Sequence, residues 1–236
     1  MELFYVHPEN VSEMELRPDD FERKHIVSTL RKGVGDAVHF TDGQGNLYTG
    51  KISQTVPKLI VEIYQKEKKP KPAVEMVLAC GFIKQNRMDF ILEKGTELGV
   101  NRFLFFRSRY ATYFSANTGR LQKVVRQALK QSLRFYLPEI SVFPGLDDFF
   151  AFQPLAETRL LAVDSEQPLL RNVMQLEKIK LEHSVIIAIG PEGGFSAQEL
   201  QQFSDNGFMG FSLGGHRLRT ETAALASIAI VSQYIH

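Results

Sequence analysis

An α/β protein built on a parallel sheet, with a smaller β-rich domain ahead of it, is what the sequence predicts, and three observations carry the prediction. Before residue 66, short β-prone runs are divided by turn clusters. Residues 66–72 break that pattern with lysines and prolines. Beyond them, apolar runs alternate with stretches of helical spacing, the order expected of parallel strands covered by helices. The domains expected are 1–70 and 73–236.

The β-prone runs of the first part are Ala37–Phe40, Leu47–Ile52 and Leu59–Tyr64, with the turn cluster Thr41–Asn46 between the first two. A small barrel or compact sheet is the natural form. The segment Lys66-Glu67-Lys68-Lys69-Pro70-Lys71-Pro72 reads as a linker, because its prolines remove helix and central-strand options. After it, Val74–Phe82 is an apolar strand, and Asp89–Leu98 has helical spacing with Gly99 as its stop. Further strands are expected at Arg102–Phe106, Thr158–Val163 and Val185–Ile189.

Composition excludes several classes. With 44% hydrophobic and 23% charged residues in 236, the chain can bury a core and is not of a disordered type. Its longest apolar stretches fall short of the roughly 20 residues a membrane span needs. The acidic first residues lack the basic character of a signal or transit peptide, so a cytoplasmic protein is expected. One cysteine excludes an intrachain disulfide, and the histidines lack ligand spacing, so no metal site is expected.

The near-balance of 28 bases and 27 acids is an average over opposites. Residues 66–134 hold 15 Lys+Arg against 5 Asp+Glu. Clustered positive charge favours polyanions. The cluster centres on Arg120–Arg134, which contains five bases and no acid. Helical spacing puts Arg120, Lys123, Arg126, Lys130 and Arg134 on one side and Leu121, Val124, Val125, Ala128 and Leu129 on the other. An ordinary solvated face would mix in acids for i,i+4 pairing. Lys84, Arg87, Arg102, Arg107 and Arg109 extend the patch. Phe105, Phe106, Tyr110, Tyr113 and Phe114 interleave with it, as core or as stacking platforms for RNA bases.

Two glycine loops carry the second signal. Val185–Ile189 runs into Gly190-Pro191-Glu192-Gly193-Gly194, and Ser196 with Glu199 forms a capping box that starts a helix. Phe211–Leu213 ends in Gly214-Gly215 before a helix rich in small residues. Loops at the carboxyl ends of neighbouring strands are where open α/β sheets bind ligands. Neither loop is a P-loop or a GxGxxG turn, and Glu192 stands where a phosphate would want a lysine, so a neutral or cationic ligand fits better. The alternative is a pair of plain tight turns.

At these residues the chain resembles the small-subunit ribosomal-RNA uridine-N3 methyltransferases of the SPOUT class. The likeness runs through His25, Leu30, Arg31, Gly35 and Asp36, then Lys84-x-x-Arg87-x-Asp89 with Glu93–Val100. It continues in Gln131-Ser132-x-Arg134, Ile189–Ser196 and Leu218–Ala223. The resemblance implies an N-terminal PUA-like RNA-binding β-barrel, a C-terminal trefoil-knotted methyltransferase domain, and a homodimer. It implies S-adenosylmethionine as cofactor, held by Ile189, Gly190, Pro191, Glu192, Gly193 and Gly194, by Leu213, Gly214 and Gly215, and by Leu218, Thr220 and Thr222. The partner implied is small-subunit (16S) rRNA or the 30S subunit, met by His25, Arg31, Lys84, Arg120, Lys123, Arg126 and Lys130. Two departures are visible. His216-Arg217 stands where the family commonly has Arg-Ile, and Lys130 and Leu133 stand where it often has Glu and Gly.

N3 of uridine bears a proton, so methyl transfer to it requires deprotonation around the time of attack. Candidate acceptors are Glu93, Glu192 and Glu221. Alternatively Arg87, Arg134 or Arg219 stabilises the developing anion and water takes the proton. A non-catalytic RNA-binding protein, or transfer to another RNA nucleotide, are the competing functions.

Overall fold

A computed structural model describes residues 1–111, 113–114, 117–152, 156–163, 166–176, 179 and 181–235. The chain forms two compact units: Met1–Lys71 with Arg126–Leu137, and Pro72–Val125 with Pro138–His236.

The first unit is built on five strands: β1 (Leu3–Tyr5), β2 (Glu15–Leu16), β3 (Ala37–Thr41), β4 (Asn46–Gln54) and β5 (Ile60–Lys68). Helix α1 (Asp20–Lys24), capped by the Asp19 carboxylate, continues as a π-helical turn over His25–Thr29. The sheet order is β1-β3-β4-β5-β2, parallel between β1 and β3 and antiparallel elsewhere. Register shifts at Thr49/Gly50 and Ile52/Gln54 bend the long β4–β5 pair, and the sheet curls into a half-barrel. Phe4, Leu16, Ile26, Phe40, Ile52 and Val61 fill its concave side. The turn expected at Thr41–Asn46 is organised by Asp42, buried, which accepts from the Gln44 N–H (2.8 Å) and the Tyr48 hydroxyl (3.0 Å). Burial first, then Asp42, pushes the Tyr48 hydroxyl up to about 12. Residues 135–137 pair with this same turn: Gly45 N–H donates to the Phe135 carbonyl and Leu137 N–H to the Gly43 carbonyl, both at 2.8 Å.

The linker is shorter than the sequence suggested. Strand β5 runs through Lys68, because Lys66, Glu67 and Lys68 pair across β4 with Tyr48, Leu47 and Asn46. The strand gives out only at the prolines.

The second unit holds β6 (Glu75–Gly81), α2 (Gln85–Glu97), β7 (Arg102–Phe106), the first part of α3 (Thr118–Gln131), and β8 (Glu139–Phe143). It continues with α4 (Leu146–Ala151), β9 (Thr158–Ala162), α5 (Leu170–Val173), β10 (Ser184–Ile189), α6 (Ala197–Asp205), β11 (Met209–Phe211) and α7 (Thr220–Ser232). All six strands are parallel, in the order β11-β9-β10-β6-β7-β8. Such sheets are buried on both faces, which is why β6 and β10 read as continuous apolar runs. One face packs around Phe106, Phe149 and Phe203; on the other, α7 lies against α2, β10 and β6.

Helix α2 begins at Gln85, four residues before the expected start, with extended Lys84 as its cap residue. It stops where expected. Gly99 has φ +101°, its N–H donates to the Thr96 carbonyl, and Val100 N–H reaches the Gly95 carbonyl, a Schellman motif. Strand β11 ends at Phe211 rather than Leu213, because Ser212 turns the chain: its hydroxyl accepts from Gly214 N–H at 3.1 Å.

Helix α3 ends at Gln131, so Arg134 is not on its basic face. The helix is stopped by Leu133 at φ +53°, a left-handed conformation in a position where the resembled family often has glycine. Leu133 is 40% exposed, so more than half of its side chain is covered, which contributes on the order of 1 kcal/mol. Left-handed backbone costs a non-glycine residue about 1–2 kcal/mol, and glycine gives back roughly 0.5–1 kcal/mol in lost chain entropy. Relief of that strain is offset by chain entropy and lost burial, so Leu133→Gly is expected to leave stability within about 0.5 kcal/mol of the parent, read as a nearly unchanged denaturation midpoint at unchanged m-value.

Candidate functional site

The carboxyl ends of β9, β10 and β11 open onto a cavity of about 600 Å³. Its walls come from the loop Ile189–Phe195, from Leu213–Leu218 with Thr220 and Ala223, and from Ala162, Val163 and Leu200. Of the twelve residues assigned to the cofactor by resemblance, eleven line it; Thr222 is exposed on α7 and does not. Ala162, Val163 and Leu200 carry no sequence signal of their own. Ala162 enters because β11 pairs with β9 in register Phe211 to Ala162, which brings both strand ends to one rim.

Hydrogen bonds fix the two loops. Gly194 N–H donates to the Pro191 carbonyl at 2.9 Å, and the Thr220 hydroxyl donates to the Gly190 carbonyl at 3.0 Å, joining α7 to the first loop. The capping box at α6 is present, with Glu199 buried and accepting from the Ser196 N–H and hydroxyl. The other Glu199 oxygen accepts from the Arg109 N–H at 2.7 Å, tying this turn to the segment after β7. Gly194 (φ +71°) and Gly214 (φ +121°) adopt left-handed conformations, and a Cβ at either would enter open space. At these two positions the backbone is open to close approach by a ligand.

Behind this wall Arg87 sits between two carboxylates. Its Nη1 is 3.0 Å from Glu192 Oε1, and its Nε is 3.6 Å from Glu221 Oε1. The second oxygen of each glutamate is shielded from solvent and has no hydrogen-bond partner. Cys80 lies close by: burial first, then Glu192 and Glu221, push its thiol far up, so it is not a nucleophile. Arg217 donates to the Glu192 carbonyl at 3.3 Å, linking the two glycine loops. Of the other catalytic candidates, Glu93 is exposed and pairs with Lys94 at 2.8 Å, away from this cluster. Arg219 is exposed at the N-cap of α7. Arg134 belongs to the first unit, where burial lowers its guanidinium from the ordinary value.

The basic helix is less free than its sequence implies, because acids come from elsewhere in the fold. In the second unit, Arg120 makes a bidentate pair with Asp89 at 2.6 and 2.7 Å. In the first unit, Lys130 pairs with Glu22 at 2.5 Å, both nearly buried, and Arg126 lies over the Tyr5 ring. Lys84, Lys123 and Arg31 are exposed; His25 packs edge-on against Phe4. Phe105 and Phe106 are core, whereas Tyr110 and Phe114 are exposed.

Comparison with known proteins gives a consistent picture. Residues 69–232 match the family described as RNA methyltransferase domain. The chain is 28% identical over 223 residues to the ribosomal RNA small subunit methyltransferase E of Rickettsia conorii, covering 93% of this chain and 89% of that one. It is 25% identical over 232 residues to the Bacillus subtilis protein of that name, covering 89% and 87%. The crystal structure of the Neisseria gonorrhoeae methyltransferase E, bound to S-adenosyl methionine, superposes with a TM-score of 0.87 at 27% identity, over 99% of this chain and 98% of that one. A probable rRNA-methyltransferase from Porphyromonas gingivalis gives 0.84 at 32% identity, over 100% and 97%. No described helix is long and apolar enough to cross a membrane.

The Lys130–Glu22 pair yields a test. Burial raises Glu22 from its ordinary value while Lys130 pulls it back, and one Glu22 oxygen already lacks a partner. A carboxyl raised in the folded state contributes stability at acidic pH that is lost as pH rises through the folded value. Lys130→Met removes the opposing charge and is expected to destabilise by about 3 kcal/mol at neutral pH. Denaturant unfolding in acidic and neutral buffer should show the deficit shrinking on the acidic side.

Proposed function

This chain belongs to the RNA methyltransferase family, and from that premise we propose that it transfers the methyl group of S-adenosylmethionine to N3 of a uridine in small-subunit ribosomal RNA. One observation carries the donor assignment: two glycine loops, at the ends of the strands that flank β9, enclose a cavity that offers both polar and apolar groups and no lysine. At about 600 Å³ it is of small-molecule size. Its groups fit the donor. Leu213, Leu218 and Ile189 offer apolar surface for a purine, and the amides and carbonyls of Gly190–Gly194 and Gly214–Gly215 offer partners for its polar edge and amino-acid arm. Bound there, S-adenosylmethionine would supply an electrophilic methyl group. The ribosomal substrate is supported by the names of the relatives, and the uridine-N3 position by the motifs of the SPOUT class.

The chain's own residues then divide the remaining work. Arg87 is offset by two carboxylates and cannot lend its full charge to a uridine anion, so it is a positioning residue that holds the first loop against α2 and α7. Glu192, which lines the cavity, is better placed than Glu93 to accept the N3 proton. Arg219, exposed beside the cavity wall, is the cation left for the developing charge at O2 or O4. The curled mixed sheet of the first unit supports a PUA-like RNA-binding module. The order in which β10 enters between β9 and β6, both earlier in the chain, supports a knotted path. A homodimer and a cytoplasmic location complete the reading.

The test is incubation of the purified protein with methyl-labelled S-adenosylmethionine and small ribosomal subunits lacking N3-methyluridine, followed by nucleoside analysis. Labelled N3-methyluridine is the expected product. Label in another nucleoside would move the reaction to a different base, and absence of donor binding would favour an RNA-binding protein without catalysis. In single turnover with donor bound, Glu192→Gln should slow transfer about 100-fold, the scale of a lost proton acceptor. Glu93→Gln should leave the rate near normal.

A further inference from the structure

A second, smaller cavity lies in the same unit between the starts of α2 and α3 and shares no lining residue with the donor cavity. We infer that it holds an unpaired uracil base of the RNA other than the one methylated, which deepens the RNA methyltransferase reading and rests on it. At about 160 Å³ it matches the roughly 150 Å³ that accommodates a single six-membered ring, and it is too small for a purine nucleoside. Its walls combine the two chemistries a pyrimidine needs. Phe82, Met88 and Leu121 give apolar faces, and Gln85, Tyr113 and Asn117 give hydrogen-bonding groups.

The polar side is oriented rather than merely polar. Asp89 takes two of the Arg120 donors at 2.6 and 2.7 Å. In the orientation its hydrogen bonds require, the Gln85 amide oxygen accepts from the same guanidinium at 2.6–3.0 Å. With its oxygen turned to the guanidinium, Gln85 presents its NH₂, a two-hydrogen donor, on the side away from Arg120. A pinned donor selects a ring carbonyl, such as O4 of uracil, over the amino group that cytosine carries at that position. The Tyr113 hydroxyl can take the remaining N3–H, since a hydroxyl both donates and accepts. Exposed bases flank the opening in sequence and space: Lys84 precedes Gln85, Lys123 follows Arg120, and Arg107 lies over Phe114, whose ring packs edge-on against Phe82. They suit the phosphates of a single strand. Arg120, read from sequence as part of a basic face, is on this reading paired with Asp89 as the device that sets the polarity of Gln85.

The experiment is equilibrium binding of fluorescent pentacytidylate with and without one central uridine, on the full-length protein. The uridine oligonucleotide should bind about fivefold more tightly, the worth of one net hydrogen bond. Gln85→Ala should abolish the preference, and a 4-thiouridine at the centre should cross-link to Tyr113 or Met88. Equal affinity for the two oligonucleotides, or a preference that survives both Gln85→Ala and Tyr113→Phe, would overturn the assignment. Gln85 is exposed, so its loss should not cost the fold; thermal melting of the variant checks this. Calorimetric binding of S-adenosylmethionine to the same samples separates the two readings. Donor binding without uracil preference sinks only this pocket, and uracil preference without donor binding sinks the methyl-transfer reading.

Discussion

Strand β10 is the constraint on which the second unit rests. Val185–Ile189 is buried throughout and hydrogen-bonds in parallel on both sides, to β6 and to β9. A parallel neighbour can be reached only through a crossover, so every connection must leave at the carboxyl end of one strand and return at the amino end of the next. The ends of β9, β10 and β11 therefore lie together, and the loops that follow them have no choice but to face one another. The cavity is a by-product of this rule before it is a binding site. What makes it a site is that glycines recur in those turns and expose backbone groups between the side chains of the rim.

Buried charge is handled by the same economy in each unit. Arg87 between Glu192 and Glu221, Arg120 on Asp89 and Lys130 on Glu22 each set a base against acids far away in sequence. Leaving one partner of a buried pair alone costs more than the pair gains, which holds most strongly for Lys130 and Glu22. The positive field that remains comes from side chains with no such duty, among them Lys84, Lys123 and Arg107. A polyanion would meet a smaller set of cations than the residue count suggests, and a set placed by the ion pairs beside it.

What could be read from the sequence follows the range of the interactions involved. The strands at Ala37, Leu47, Leu59, Glu75, Arg102, Thr158 and Val185 were legible because local pattern decides them. So were the capping box at Ser196 and the stop at Gly99. Strand β8 was not: Glu139-Ile140-Ser141-Val142-Phe143 alternates weakly at a sheet edge, and only its pairing with β7 makes it a strand. The three-residue β1 and two-residue β2 are shorter than any period can reveal. Both glycine loops were visible as candidate ligand contacts. The clamp around Arg87 was not, because its partners lie on a loop and a helix that only the fold brings to α2.

The departures from the family pattern fit this picture of a backbone-built site. Where a binding wall is made of side chains, exchanging Arg-Ile for His216-Arg217 would change the chemistry offered to the ligand. Here the arginine is displaced by one position, and its guanidinium is spent on the Glu192 carbonyl of the opposite loop. That bond does for the two loops what Thr220 does from the helix side, holding Gly190–Gly194 at a fixed distance from the segment after β11. At Lys130, where the resembled family often has glutamate, the base pairs with Glu22 of α1. In both cases the side chain is tied down within the fold, to a backbone carbonyl and to a buried carboxylate.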